Sequence, residues 1–177
     1  MLIDDFMPTF DFSETEQITA AASSATAYRA VKDFDMSEST TIRWLFKMRG
    51  IPTKSLALAD LEKVNIKVLA EKQDEEIVLG LAGQFKTLTS GLLDLNAKDF
   101  REFKESGFIK AVWNFSVLGF NENKTRVSSE IRVNTTDESS LAKVKKYWGV
   151  IKPPSAMIRQ EILKLIKREA ESEAREL

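Results

Sequence analysis

Two spacings of apolar residues divide the chain. The stretch "ETEQITAAAS" reads as a short strand, and "SSATAYRAVKDF" then changes the period, with Ala27, Tyr28, Val31 and Phe34 on one helical face and Ser24 as the N-cap. "MSESTTIRWLFKMRGIP" predicts a second short helix, capped at Ser37 or Ser39 and stopped by Gly50 and Pro52. Its apolar side carries Ile42, Leu45 and Phe46. "TKSLALADLEKVN" has room for one or two further turns.

From Ile66 the period becomes that of antiparallel strands. "IKVLAEKQDEEIVLGLAGQF" holds two apolar runs around a charged Gln73-Asp74-Glu75 turn, a hairpin signal. The stretch from Lys86 to Lys98 shows no clear period and Gly91 breaks it, while "DFREF" fits a further short strand. A second hairpin follows, "FIKAVWNFSVLGF" and "KTRVSSEIRVNTT" joined by Asn121-Glu122-Asn123. Ile109, Ala111, Trp113, Phe115 and Val117 alternate with Lys110, Asn114 and Ser116, and Val127, Ile131 and Val133 alternate with Arg126, Glu130 and Arg132. Such alternation predicts a sheet with one apolar face covered and one charged face in water, where ion pairs contribute ~0 to 1 kcal/mol each.

The last third reads as helix, yet Pro153 and Pro154 sit side by side within it. Each removes a backbone donor, and together they free the carbonyls of Gly149 and Val150. The stripe Leu141, Val144, Trp148, Ile151, Ser155, Ile158, Ile162 and Leu165 keeps its phase across them. Unbroken register favours one bent helix over residues 137–171, lying on the apolar face of a curved sheet. A helix end followed by a new helix with proline in its first turn is the other arrangement of this pattern.

Composition narrows the chemistry. At 177 residues the chain has the size of one domain, 1–177, with an N-terminal strap over 1–13 in which Phe6, Pro8 and Phe10 tie the start to the body. Cysteine and histidine are both absent, which excludes disulfides, thiolate metal sites, histidine-based metal hydrolases and Ser-His-Asp triads. Neither a cofactor nor a metal is expected. The 26 lysines and arginines balance 27 acids, so no long-range field selects a nucleic acid, and none is expected as a partner. Asp4 and Asp5 stand where a secretory signal carries positive charge, and no apolar run approaches the ~18 residues of a membrane span. A cytoplasmic protein is expected, monomeric or weakly homodimeric.

The order strand, two short helices, antiparallel strands and long C-terminal helix resembles the α+β helix-grip fold of the START-like superfamily, which also holds Bet v 1-type and polyketide cyclase-like proteins. The opening "MLIDDFMPTFDF", the middle "EEIVLGLAGQF", the hairpin segments "AVWNFSV" and "SSEIRV", and "KYWGVIKPPSAMIRQEIL" carry a likeness to an uncharacterised bacterial subgroup. The chain departs from the plant Bet v 1 group in lacking a GxGGxG loop, and it has no Rieske-type cysteine and histidine ligands. The resemblance implies an apolar cavity between sheet and helix, suited to a lipid, sterol-like or polyketide-like ligand. Trp113, Phe115, Ile131 and Val133 on the sheet, with Trp148, Ile151 and Ile158 on the helix, are the residues expected to line it.

Two other readings stand beside this one. A cyclase or aromatase-like enzyme would use carboxyl or hydroxyl groups near apolar regions, of which Glu76, Tyr28 and Tyr147 are the available ones, although their spacing defines no active site. A protein-binding module would need an exposed apolar patch around Trp44, Phe46 and Met48. The cluster Lys143, Lys145 and Lys146 beside Tyr147 and Trp148 reads as a solvated helix face.

Overall fold

The computed structural model describes residues 1–48, 54, 56–85 and 91–176. Strands β1 (Phe12–Ala20), β2 (Lys67–Lys72), β3 (Glu76–Gly83), β4 (Ile109–Asn121) and β5 (Lys124–Thr135) form one antiparallel sheet in the order β1-β5-β4-β3-β2. Both hairpins expected from the alternation are present. β2 turns into β3 through Gln73-Asp74-Glu75 with Asp74 at φ 61°, and β4 turns into β5 at Glu122 and Asn123.

Helices α1 (Ser24–Asp33), α2 (Thr40–Met48) and α3 (Leu58–Leu61) follow β1, α4 (Ala97–Glu102) precedes β4, and α5 (Glu138–Glu176) ends the chain. The cap of α1 is Ser23, one residue before the expected Ser24: its backbone is extended and its Oγ accepts from Thr26 N at 3.2 Å. For α2 the cap is Ser39, whose Oγ accepts from Ile42 N at 3.2 Å. The expected stops at Gly50 and Pro52 lie outside the described residues.

The segment "DFREF" is helical, not a strand. Asn96 accepts from the backbone N–H groups of Lys98 and Asp99, both at 2.9 Å, and so opens α4, whose short run of helix drives Phe100 into the body. A local side-chain cap outweighs the strand preference of the two phenylalanines.

α5 runs through Pro153 and Pro154 as one helix, as its unbroken stripe predicts. Asp137 caps it: Oδ1 accepts from Ser140 N at 2.9 Å, and Oδ2 accepts from the backbone N–H of Gly107. Those two backbone bonds hold the Asp137 carboxyl low, at about 2.

Both faces of the sheet are covered. On the inner face Ile77, Leu79, Phe115 and Val127 pack with Ala27 and Val31 of α1 and with Ile162, Leu163 and Ile166 of α5. The long helix packs directly on β1 and β5 and against α1, which itself rests on β4 and β5, while α2 packs on the long helix. This is the helix-grip arrangement.

On the outer face the expectation of a solvated charged surface is overturned. Val78, Ala82 and Val112 are roofed by Ile3, Phe6 and Met7 of the N-terminal strap and by Phe100 of α4. Burying apolar side chains of this size stabilises the fold by roughly 1.5–3 kcal/mol each, enough to hold the strap against the outer strands. Polar groups of that face are sealed beneath it. Asn114 is fully buried, its Nδ2 donating to Glu76 Oε1 at 2.7 Å and its Oδ1 accepting from Glu130 N at 2.9 Å. Arg132, also buried, reaches Glu130, Asp4 and the carbonyl of Met7. Of the strap residues expected, Phe6 is buried, while Pro8 and Phe10 stay exposed, with Phe10 under the Arg132 guanidinium at 4.9 Å.

Candidate functional site: the inner face beneath the long helix

α5 does not pack evenly. Its buried residues are Ser140 and Val144 near the start, then Arg159, Ile162, Leu163, Leu165, Ile166 and Ala170. No residue from Lys145 to Ile158 is fully buried, and Val150 is 73% exposed. The helix is therefore anchored at two places with an unburied span between them, and that span contains Gly149, Pro153 and Pro154. Proline disrupts the ladder there and glycine contributes no side chain to pack.

The seven residues expected to line a cavity fall into two groups. Trp113, Phe115 and Ile158 adjoin the main core, with the Trp113 and Phe115 rings 4.9 Å apart. Ile131, Val133 and Trp148 adjoin a second cluster with Phe12, Ile109, Ala111 and Val144, where Trp148 stacks on Phe12 at 4.4 Å. Phe115 and Val133 are buried, whereas Trp113, Ile131, Trp148 and Ile158 remain half-buried. Ile151 stands apart on the exposed flank of the helix, at 38% exposure.

Register explains the central row. Glu14 of β1 lies opposite Ile131, Ile131 opposite Trp113, and Trp113 opposite Leu79, so all four occupy one line across the inner face. A carboxylate in that apolar line needs a partner, and Arg159 of α5 supplies it. Arg159 Nη2 donates to Glu14 Oε2 at 2.5 Å and Nη1 donates to Ser155 Oγ at 2.7 Å. Lys152 Nζ stands 3.2 Å from Glu14 Oε1 on the outer side. Even so, Glu14 Oε1 and Arg159 Nε are buried without a hydrogen-bond partner. Buried polar atoms are paired in most folds, so Arg159 Nε is a donor in reserve, while Glu14 Oε1 faces the Lys152 ammonium.

Neither residue stands out in the sequence as a site. The available signal is parity: Glu14 and Glu16 alternate in step with Phe12 and Ile18, placing two carboxylates on the inward face of a strand. Ser155, Arg159 and Ile162 likewise continue the inward stripe of α5.

The groups considered as acids have structural partners. Glu76 Oε2 accepts from Leu2 N at 2.7 Å and Oε1 from Ile3 N at 3.2 Å, so it fastens the strap on the outer face. The Tyr28 hydroxyl donates to Glu71 at 2.8 Å, and burial together with that carboxylate pushes its pKa upward. Tyr147 is exposed and its ring lies 5.3 Å from Phe85. Among the described residues no group of three or more acidic side chains could hold a metal ion. No helix among them is long and apolar enough to cross a membrane. On α2, Ile42 and Leu45 pack inward while Trp44 and Met48 are exposed.

No family model matches the chain, and no curated protein matches it. Solved structures align with it at a distance. TTHA0849 from Thermus thermophilus aligns over 92% of this chain and 99% of its own, with TM-score 0.39 and 10% identity. The Zhui aromatase/cyclase from Streptomyces sp. R1128 aligns over 90% of this chain and 93% of its own, with TM-score 0.35 and 12% identity. A START superfamily protein from Mycobacterium smegmatis aligns over 93% and 97%, with TM-score 0.31 and 13% identity. Likenesses this distant say nothing about activity, and the fold rests on the strand order and helix placement given above.

Proposed function

We propose that the chain binds a small, mostly apolar ligand between the inner face of the sheet and the unburied span of α5. The observation that carries this reading is the mismatch between a long helix and its packing: no residue from Lys145 to Ile158 is fully buried, and Trp113 and Ile131 on the inner face are only half-buried. Apolar surface left partly open beneath a helix costs about 25 cal/mol per Å² relative to burial, and an apolar guest recovers it. Glu14 and Arg159 add a polar end, so a lipid-like or polyketide-like molecule with one hydrogen-bonding group matches the site best.

Native mass spectrometry of the protein purified from its own or a related host tests the reading, followed by denaturing extraction of whatever is bound. A stoichiometric adduct that is lost in Ile158→Lys is the expected result. A protein without adduct, whose tryptophan fluorescence also fails to saturate with fatty acids or fused-ring aromatics, sinks it.

An enzymatic reading, with cyclase or aromatase-like chemistry, has one observation in its favour, the charged pair set into the apolar row. Turnover of a reactive polyketide-like substrate that disappears in Glu14→Gln while binding persists would establish it over simple carriage.

A further inference from the structure

A separate cavity lies on the outer face. Where the strap meets α4 and the ends of β4 and β5, a half-open cavity of about 390 Å³ is lined by Arg101, Lys104 and Lys110. Phe6 and Phe103 supply apolar wall, and Thr135 and Thr136 supply neutral polar groups. The volume falls at the small end of the range for small-molecule sites.

The three cations have no carboxylate as an ion-pair partner among the described residues. Arg101 lies over the Phe6 ring at 4.2 Å, and its Nε donates to the carbonyl of Asp5 at 3.3 Å. Lys110 lies over the Phe100 ring at 4.6 Å and donates to the carbonyl of Phe103 at 3.2 Å. Lys104 is exposed at the cavity with no hydrogen bond or ion pair of its own. The nearby acid Asp11 is engaged elsewhere, accepting from Thr135 N at 2.8 Å and Thr135 Oγ1 at 2.7 Å.

Lys110 is the half-buried member of the three, and it differs in this from the buried cations Arg132 and Arg159, each of which holds a carboxylate. Withdrawal from water, and then the charge of Lys104, hold the Lys110 pKa below the ordinary lysine value. A cation kept in that condition gains from an incoming anion what a fully solvated one does not. Arginine and lysine together are the usual complement of phosphate oxygens, and the aromatic walls accept an apolar body.

We propose that this cavity binds a small, multiply charged oxyanion carried on an apolar or aromatic body, an organic monophosphate being the simplest chemistry that matches it. Phenyl phosphate is the probe, titrated at constant ionic strength while backbone amide resonances are followed by NMR. Saturable shifts are expected at Thr9, Lys110, Thr135 and Thr136, with phenol giving none. Affinity should fall about tenfold or more in Lys110→Met and in Lys104→Met, and stay unchanged in Lys124→Met at the exposed start of β5. Lys110 also packs on Phe100, so the exposed Lys104 gives a variant that leaves the fold intact. Shifts that rise linearly without saturation, equal binding of phenol, or equal affinity in the wild type and Lys104→Met overturn the proposal.

Discussion

Arg159 on α5 and Glu14 on β1 meet at 2.5 Å, and each side chain is withdrawn from water, at 3% and 7% exposure. This pair joins the last helix to the first strand through charge in the middle of an apolar surface. Removing Glu14 strands the Arg159 guanidinium, and removing Arg159 leaves Glu14 only the exposed Lys152, so we expect Glu14→Leu alone to cost about 3–5 kcal/mol and Arg159→Met to cost about 3 kcal/mol. The double variant should cost clearly less than either single change, because no orphaned charge remains. Urea denaturation of the four proteins checks this, and strictly additive losses would refute the coupling.

The two ends of α5 should differ in how they tolerate substitution. Ile162 is fully buried, so Ile162→Ala is expected to cost about 2–5 kcal/mol. Ile151→Gln should change stability by less than about 0.5 kcal/mol in the ligand-free protein. Hydrogen exchange should follow the same division, faster over 149–158 than over 159–170.

Two glycines make opposite predictions. A Cβ at Gly80 would stand 2.3 Å from Cδ1 of buried Leu69, so Gly80→Ala should destabilise by roughly 1–3 kcal/mol and be partly rescued by Leu69→Ala. A Cβ at Gly149 meets open space, and Gly149→Ala should stabilise the helix by about 0.5–1 kcal/mol. Thermal or chemical denaturation reads both signs.

Asp137 links acid sensitivity to the start of α5. Its carboxyl titrates at about 2 in the fold, below the ordinary value of about 3.9 in an unfolded chain, so the folded state favours the ionised form. The stabilisation is therefore complete above pH ~4 and is lost as pH falls through about 2. Carbon-detected NMR should give Asp137 that low midpoint. In Asp137→Asn the denaturation midpoint should change less between pH 4 and 2 than in the wild type.

Glu76→Ala would leave the N–H groups of Leu2 and Ile3 and the Asn114 amide without their acceptor. Each buried donor left unpaired costs about 1–3 kcal/mol, so a loss in that range or above is expected, with faster exchange at Ile3. If exchange at Ile3 were unchanged, the strap would be held by its apolar side chains alone.

Periodicity made much of this fold readable. The β4 and β5 alternation placed Trp113 and Ile131 on one face, and the stripe through Pro153 and Pro154 announced a single helix, because each signal is repeated over many residues. The strap was harder to place. Phe6 suggested attachment, but nothing local says that Ile3 and Met7 will roof Val78 and Val112, positions that reach the outer face only through sheet register. Glu14 and Arg159 were hidden for the same reason: one charge on a strand and one on a helix look solvated until the two elements are brought together. The helical turn at Phe100 was missed because Asn96, its cap, lies in a stretch without period.

The strap also sets an order of events. Asp4 is bound by Arg132, 128 residues further along, and β1 pairs with β5, so β1 has no sheet neighbour until β5 has been made. Docking of β1 and the strap onto the rest of the sheet is then expected to be a late step of folding, since distant segments must meet. During synthesis, Ile3, Phe6 and Met7 wait uncovered until β3, α4 and β4, which carry Val78, Phe100 and Val112, have been made.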